Sequence, residues 1–174
     1  MVLPQLIEKL LKALLINYMN KTFSHLRVSS EYSITQGLLT INQLVECAKK
    51  HSVPSLALTD KSNMFAMVKF FSKCEAQGIK PISGSSLKVI FDEDDTSHEL
   101  LLLAKNNNGH KNLMKVISNA HKNFKYQNII ISFKDLQEFK DDVIAISGGK
   151  DSHLFELIKR THVRIAGQLR IQYL

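Results

Sequence analysis

From Met19 onward, short apolar runs alternate with helix-patterned segments, and this alternation limits the fold more than any single residue does. Thr40-Ile41-Asn42-Gln43 reads as a capping box, with Thr40 closing the helix start and Gln43 reaching back. Ile41, Leu44, Val45 and Ala48 then recur at three-and-four spacing and give that helix one apolar face. Pro54 precedes a strand, Ser55 to Leu58, and Asn63 to Ala76 reads as a second helix with Gly78 as its stop. Strands are expected at His25 to Val28, Lys80 to Ile82, Leu87 to Phe91, Leu100 to Ala104, Ile129 to Ile131 and Val143 to Ser147. Asp92 to Asp95 reads as a solvated acidic turn. Further helices are expected around Lys111 to His121, at Phe133 to Phe139 behind a Ser132 cap, and at Ser152 to Arg160 behind an Asp151 cap.

Such alternation predicts an α/β fold on a parallel sheet, with function gathered at the C-terminal ends of the strands. The polar segments that follow strands are Ser29-Ser30-Glu31, Thr59-Asp60-Lys61, Gly84-Ser85-Ser86 and Ser147-Gly148-Gly149, and they are expected on one face. A chain of 174 residues is one domain or part of one. The formal charge of +7 is compatible with nearby nucleic acid, but the lysines are scattered and read first as solubilising surface. Cys47 and Cys74 both fall in helix-patterned segments and read as buried thiols of a reducing, cytoplasmic protein.

Residues 1–18 stand apart. Leu3, Leu6, Ile7, Leu10, Leu11, Leu14, Leu15 and Tyr18 form one apolar stripe, with Glu8, Lys9 and Lys12 off it. The segment is too short and too charged for a membrane span and lacks a signal-peptide cleavage site. Two readings stand: an amphipathic leader helix that packs on the domain or a partner, or a start-site artefact.

The stretch Phe23-Ser24-His25-Leu26-Arg27-Val28-Ser29-Ser30-Glu31-Tyr32-Ser33 resembles the opening of the PHP (polymerase and histidinol phosphatase) domain. More narrowly, it is similar to the PHP domain that begins bacterial replicative DNA polymerase III alpha subunits. Gly37, Ala57-Leu58-Thr59-Asp60, Asn63-Met64, Gly78-Ile79-Lys80-Pro81-Ile82, Gly84, Leu103-Ala104-Lys105-Asn106 with Gly109, Asn112 and Leu113, and Ile146-Ser147-Gly148-Gly149 continue the likeness in order. It covers roughly Lys21 to Arg160, so 19–160 reads as the N-terminal part of a PHP domain and 161–174 as a divergent tail.

The resemblance implies a TIM-like barrel of seven strand–helix units. A barrel of this general kind takes about 250 residues, so this chain is expected to leave it incomplete at the C-terminus. It also implies a parent DNA-directed DNA polymerase, a nucleotidyltransferase of DNA replication that uses Mg. Its palm carboxylates would lie outside this sequence, so no catalytic residue is assigned here. Implied partners are the proofreading exonuclease subunit, other replicase subunits and, through the parent polymerase, DNA.

Metal-binding members read His-Leu-His-x-His-Ser at the first strand, and the last two histidines fall on Arg27 and Ser29. The histidine that follows Thr-Asp falls on Lys61, and the glutamate of Gly-x-Glu falls on Ser86. Asp60 remains; of the other candidates, His25 reads as a strand residue of the family pattern and His98 sits one position off the family's alignment. Divalent ions need imidazole or carboxylate donors, so these positions read as a vestigial pocket without a metal cofactor. Arg27 or Lys61 is expected to pair with Asp60 in the metals' place. The remaining histidines, His51, His110, His121, His153 and His162, show no ligand spacing. Two alternatives stay open. One is a metal-dependent PHP phosphoesterase or 3'-5' exonuclease. The other is ATP binding by Ser147, Gly148, Gly149, Asp151 and Ser152, which is similar to the Ser-Gly-Gly-x-Asp-Ser loop of PP-loop pyrophosphatases.

Overall fold

The computed structural model describes residues 23–34, 36–91, 96–122 and 129–160. The expected leader, acidic turn and divergent tail lie outside these. The elements in chain order are α1 (Ile41–Lys50), β1 (Ser55–Leu58), α2 (Met67–Ala76), β2 (Lys80–Ile90), β3 (Ser97–Ala104), α3 (Asn107–Lys122), β4 (Ile130–Ser132), α4 (Phe133–Gln137), β5 (Val143–Ser147), a 3-10 turn (Gly149–Asp151) and α5 (His153–Arg160).

The local signals act where expected. The Thr40 hydroxyl accepts from Gln43 N–H at 3.3 Å, and Gln43 Oε1 accepts from Thr40 N–H at 2.9 Å. Ile41, Leu44, Val45 and Ala48 are buried, while Lys49 and Lys50 sit in the last turn, where the helix dipole favours cations. Gly78 stops α2 at φ +68°, a conformation costly for any side chain. The start of α2 is later than the sequence pattern suggests. Asn63 Nδ2 donates to Tyr32 and Lys61 carbonyls and its Oδ1 accepts from Phe65 N–H, which holds the residues before Met67 in a turn.

The sheet is mixed, which corrects the all-parallel expectation. Strands run in the order β1-β2-β3-β5, with β4 also on β2. β1 and β4 pair with β2 in parallel, whereas β3 pairs antiparallel with both β2 and β5. The link from Ile90 to Ser97 is too short for the dozen or more residues a parallel crossover requires, so β2 and β3 form a hairpin. The two expected strands around Gly84 are one continuous strand. The expected strand His25 to Val28 reduces to a bridge at Leu56: Ala57 and Thr59 N–H donate to the His25 and Val28 carbonyls, but Val28 N–H turns to the Thr59 hydroxyl instead of a main-chain carbonyl.

Two apolar clusters flank the sheet. α1, β1 and α2 bury Ile41, Val45, Leu58 and Phe70, and α3 with β2, β3, β4 and α4 buries Leu87, Leu102, Leu113 and Ile131. Met64 packs against both. Only one of the two expected buried thiols is buried: Cys74 faces the first cluster, whereas Cys47 lies on the exposed side of α1. Burial, with a smaller push from Glu75, raises the Cys74 thiol to about 11. Because the thiolate is the reactive form, native labelling with a thiol reagent at pH 8 is expected to modify Cys47 alone. Cys74 should react only after unfolding, and two equally fast labelling events would contradict this packing.

Candidate functional site

The four polar segments predicted to share a face do converge, and Asp60 is where most of them meet. It follows β1 and is fully buried. A buried carboxylate is costly unless hydrogen-bonded, and this one is supplied by serines. Oδ1 accepts from Ser30 N–H and the Ser33 hydroxyl, each at 2.7 Å, and Oδ2 accepts from the Ser30 hydroxyl at 2.7 Å. Its main-chain carbonyl accepts from the Ser85 hydroxyl at 2.8 Å and Ser86 N–H at 3.1 Å. Ser33 Oγ in turn accepts from Lys61 N–H at 2.9 Å. The loop after Val28, the end of β1 and the middle of β2 are thereby tied together.

Arg27 and Lys61 are not the partners of Asp60. Arg27 Nη2 donates instead to Glu99 Oε1 at 2.7 Å, and the Ser86 hydroxyl donates to the same oxygen at 2.5 Å. Glu99 lies on β3 opposite Lys88 of β2. Its geometric reason for reaching the site is the antiparallel hairpin. The Lys61 main chain bridges Ser86, and its side chain lines a polar cleft of about 300 Å³ with Ser86, Lys88, Glu99 and Asp151. Ser29 is half-buried between Val28 and Ser30. Glu99 was not singled out in the sequence. The available signal was an acid directly before the apolar run Leu100 to Leu103.

The glycine-rich loop reaches the same cleft. A Cβ on Gly148 would lie 2.3 Å from the Glu99 carbonyl oxygen, so close backbone packing explains glycine there. Ser147 ends β5 opposite Leu100, and Gly149 to Asp151 form the 3-10 turn. Ser152, not Asp151, caps α5: its hydroxyl accepts from Phe155 N–H at 3.2 Å while donating to the Gly149 carbonyl at 2.6 Å.

The donors present do not fit a divalent ion. Arg27 and Lys61 bring positive charge, Ser29 and Ser86 bring hydroxyls, and both Asp60 oxygens are engaged by serine donors. No group of three His, Cys, Asp or Glu among the described residues could hold a metal. His98 is instead part of a ring cluster, 5.0 Å from His153, which stacks on Phe91 at 4.7 Å.

The sequence matches the PHP domain family over residues 25–173. This chain belongs to the PHP domain family. Among its curated relatives, DNA polymerase III subunit alpha of Borreliella burgdorferi is 36% identical over 134 residues, 72% of this chain and 12% of the relative. The subunit of Vibrio cholerae is 37% identical over 76% of this chain and 12% of its own length, and that of Bacillus subtilis is 31% identical over 87% and 14%. The PHP chain thus spans a small part of the relatives it matches, and the homology is to DNA polymerase III alpha subunits across several bacteria.

Two outcomes follow from this PHP site. Asp60→Asn places an NH2 group against serine donors and is expected to lower unfolding free energy by about 2 kcal/mol. An unchanged urea midpoint would overturn the role given to Asp60. The Arg27 and Glu99 side chains are 52% and 20% exposed, so solvent weakens their attraction. A double-mutant cycle of Arg27→Ala and Glu99→Gln is expected to give a coupling below about 1 kcal/mol that shrinks with added salt.

Proposed function

We propose that this PHP domain works as a structural and partner-binding part of a bacterial replicative DNA polymerase III alpha subunit, with no phosphoesterase activity of its own. The observation that carries the reading is the contact through Glu99 that joins Arg27 and Ser86, two positions where metal-binding members hold ligands. An ion pair and a serine-bound carboxylate give those loops fixed neighbours without an ion. They offer no activated water for phosphoester attack. Homology to DNA polymerase III alpha subunits supplies the setting.

On this reading the parent subunit performs Mg-dependent, template-directed nucleotide addition with carboxylates outside this sequence, and contacts DNA there. The described strands are part of a TIM-like barrel. The proofreading exonuclease and other replicase subunits are the partners, and the cytoplasm is the compartment. Among the described residues no helix is long and apolar enough to cross a membrane.

The full chain is expected to co-purify with the proofreading exonuclease subunit of the same organism. It is also expected to release no phosphate from p-nitrophenyl phosphate above background with or without Mn2+. Failure to bind that subunit while folded would count against the partner role. Manganese-stimulated hydrolysis that is lost in a folded Asp60→Ala variant would replace this reading with a metal-dependent phosphoesterase.

A further inference from the structure

Helix α3 carries a second surface, away from the polar cleft. Its buried side is Leu113, Val116, Ile117 and Ala120. On the outward side Lys111, Lys115, Ser118 and Lys122 recur at four-and-three spacing, one continuous stripe, with Met114 beside it. Met114 is 45% exposed. Together with Phe139, beyond the end of α4, it floors a shallow groove of about 430 Å³ whose rim is the three lysines.

The helix contains no carboxylate, and among the described residues none of these lysines has an ion-pair partner. Lys111 and Lys115, four apart, repel one another along the helix. Glu138 and Asp141 flank Phe139, and Asp141 accepts from Asn112 of α3 through its carbonyl, but neither pairs with a rim lysine. An apolar floor inside a rim of lysines without ion-pair partners fits an acidic peptide better than it fits a phosphate backbone, which would leave Met114 and Phe139 uncovered.

We infer that the α3 groove docks an acidic peptide segment of a partner protein, with one aliphatic or aromatic anchor seated on Met114 and Phe139. The chain's own segments fit it poorly. The leader carries Glu8 against Lys9 and Lys12, and 161–174 carries Arg164 and Arg170 with no acid. The acidic run Asp92-Glu93-Asp94-Asp95 has Phe91 as its adjacent aromatic, and that ring is already stacked on His153 and packed on Phe133. A second copy brings the same +7 charge and is repelled overall.

The inference refines the partner-binding reading above by giving it a surface, and its test is separate. A display library of random 16-residue peptides is selected on the full chain, and enriched peptides are measured by fluorescence anisotropy. Acidic peptides with one apolar anchor are expected. Their affinity should fall at least about tenfold for Lys111→Glu/Lys115→Glu and again for Met114→Ser. Both variants alter exposed positions, and matching melting curves confirm that they fold. The inference is overturned if enriched peptides are not acidic, or if either variant binds them as the parent does. It is also overturned if a dT16 oligonucleotide competes with equal affinity, which would mark a nucleic-acid surface. Self-association abolished by Lys111→Glu/Lys115→Glu would assign the groove to a second copy. Loss of exonuclease co-purification with peptide binding intact would remove the parent reading and leave the groove.

Discussion

A carboxylate without access to water organises the functional end of this domain. Asp60 cannot be left unpaired where it sits, so the chain around it is obliged to supply donors. Ser30 and Ser33 supply them from a loop some thirty residues earlier, and Ser85 and Ser86 close on its carbonyl from β2. The irregular stretch before α1 therefore has a defined path even though it forms no strand. Serine suits the task because its hydroxyl can donate to a carboxylate and accept from a main-chain N–H at once, as Ser33 does between Asp60 and Lys61.

Around that fixed point the charges are sorted by accessibility. The fully buried acid is met by neutral donors, while the cation Arg27 meets its acid, Glu99, near solvent. This arrangement avoids the desolvation cost that a buried ion pair carries. A divalent ion would draw the same segments inward through shared ligands. Here direct hydrogen bonds and one partly exposed ion pair join them.

Much of this was readable in the sequence, and the misses have physical reasons. The Thr40–Gln43 box, the Gly78 stop and the Ser132 cap depend on neighbours in the chain, and each formed as its pattern predicted. Arg27, Asp60, Lys61 and Ser86 came to the same end of the sheet because the strand–helix order already placed them there. Strand direction was missed, although the short span between Leu87–Phe91 and Leu100–Ala104, with no helical pattern in it, left room only for a hairpin. The partner of Arg27 was missed for the same reason, since Glu99 reaches the site only if β3 runs antiparallel to β2. Gly84-Ser85-Ser86 read as a polar segment after a strand, but it lies inside one, where a neighbouring Thr59 methyl and the Leu103 side chain leave no space for a larger residue than Gly84.

The length of β2 has a consequence for how the domain comes apart. Its first four residues pair with β1, whose Leu56 and Leu58 belong to the first apolar cluster, and its last seven pair with β3, while its own Leu87 and Val89 lie in the second. Met64 adds a side-chain link between the same two clusters. Opening either cluster far enough to release β2 would strip main-chain partners from the other. Main-chain pairing through β2 couples the opening of the two halves, so amide protons along β2 are expected to exchange among the slowest of the described residues.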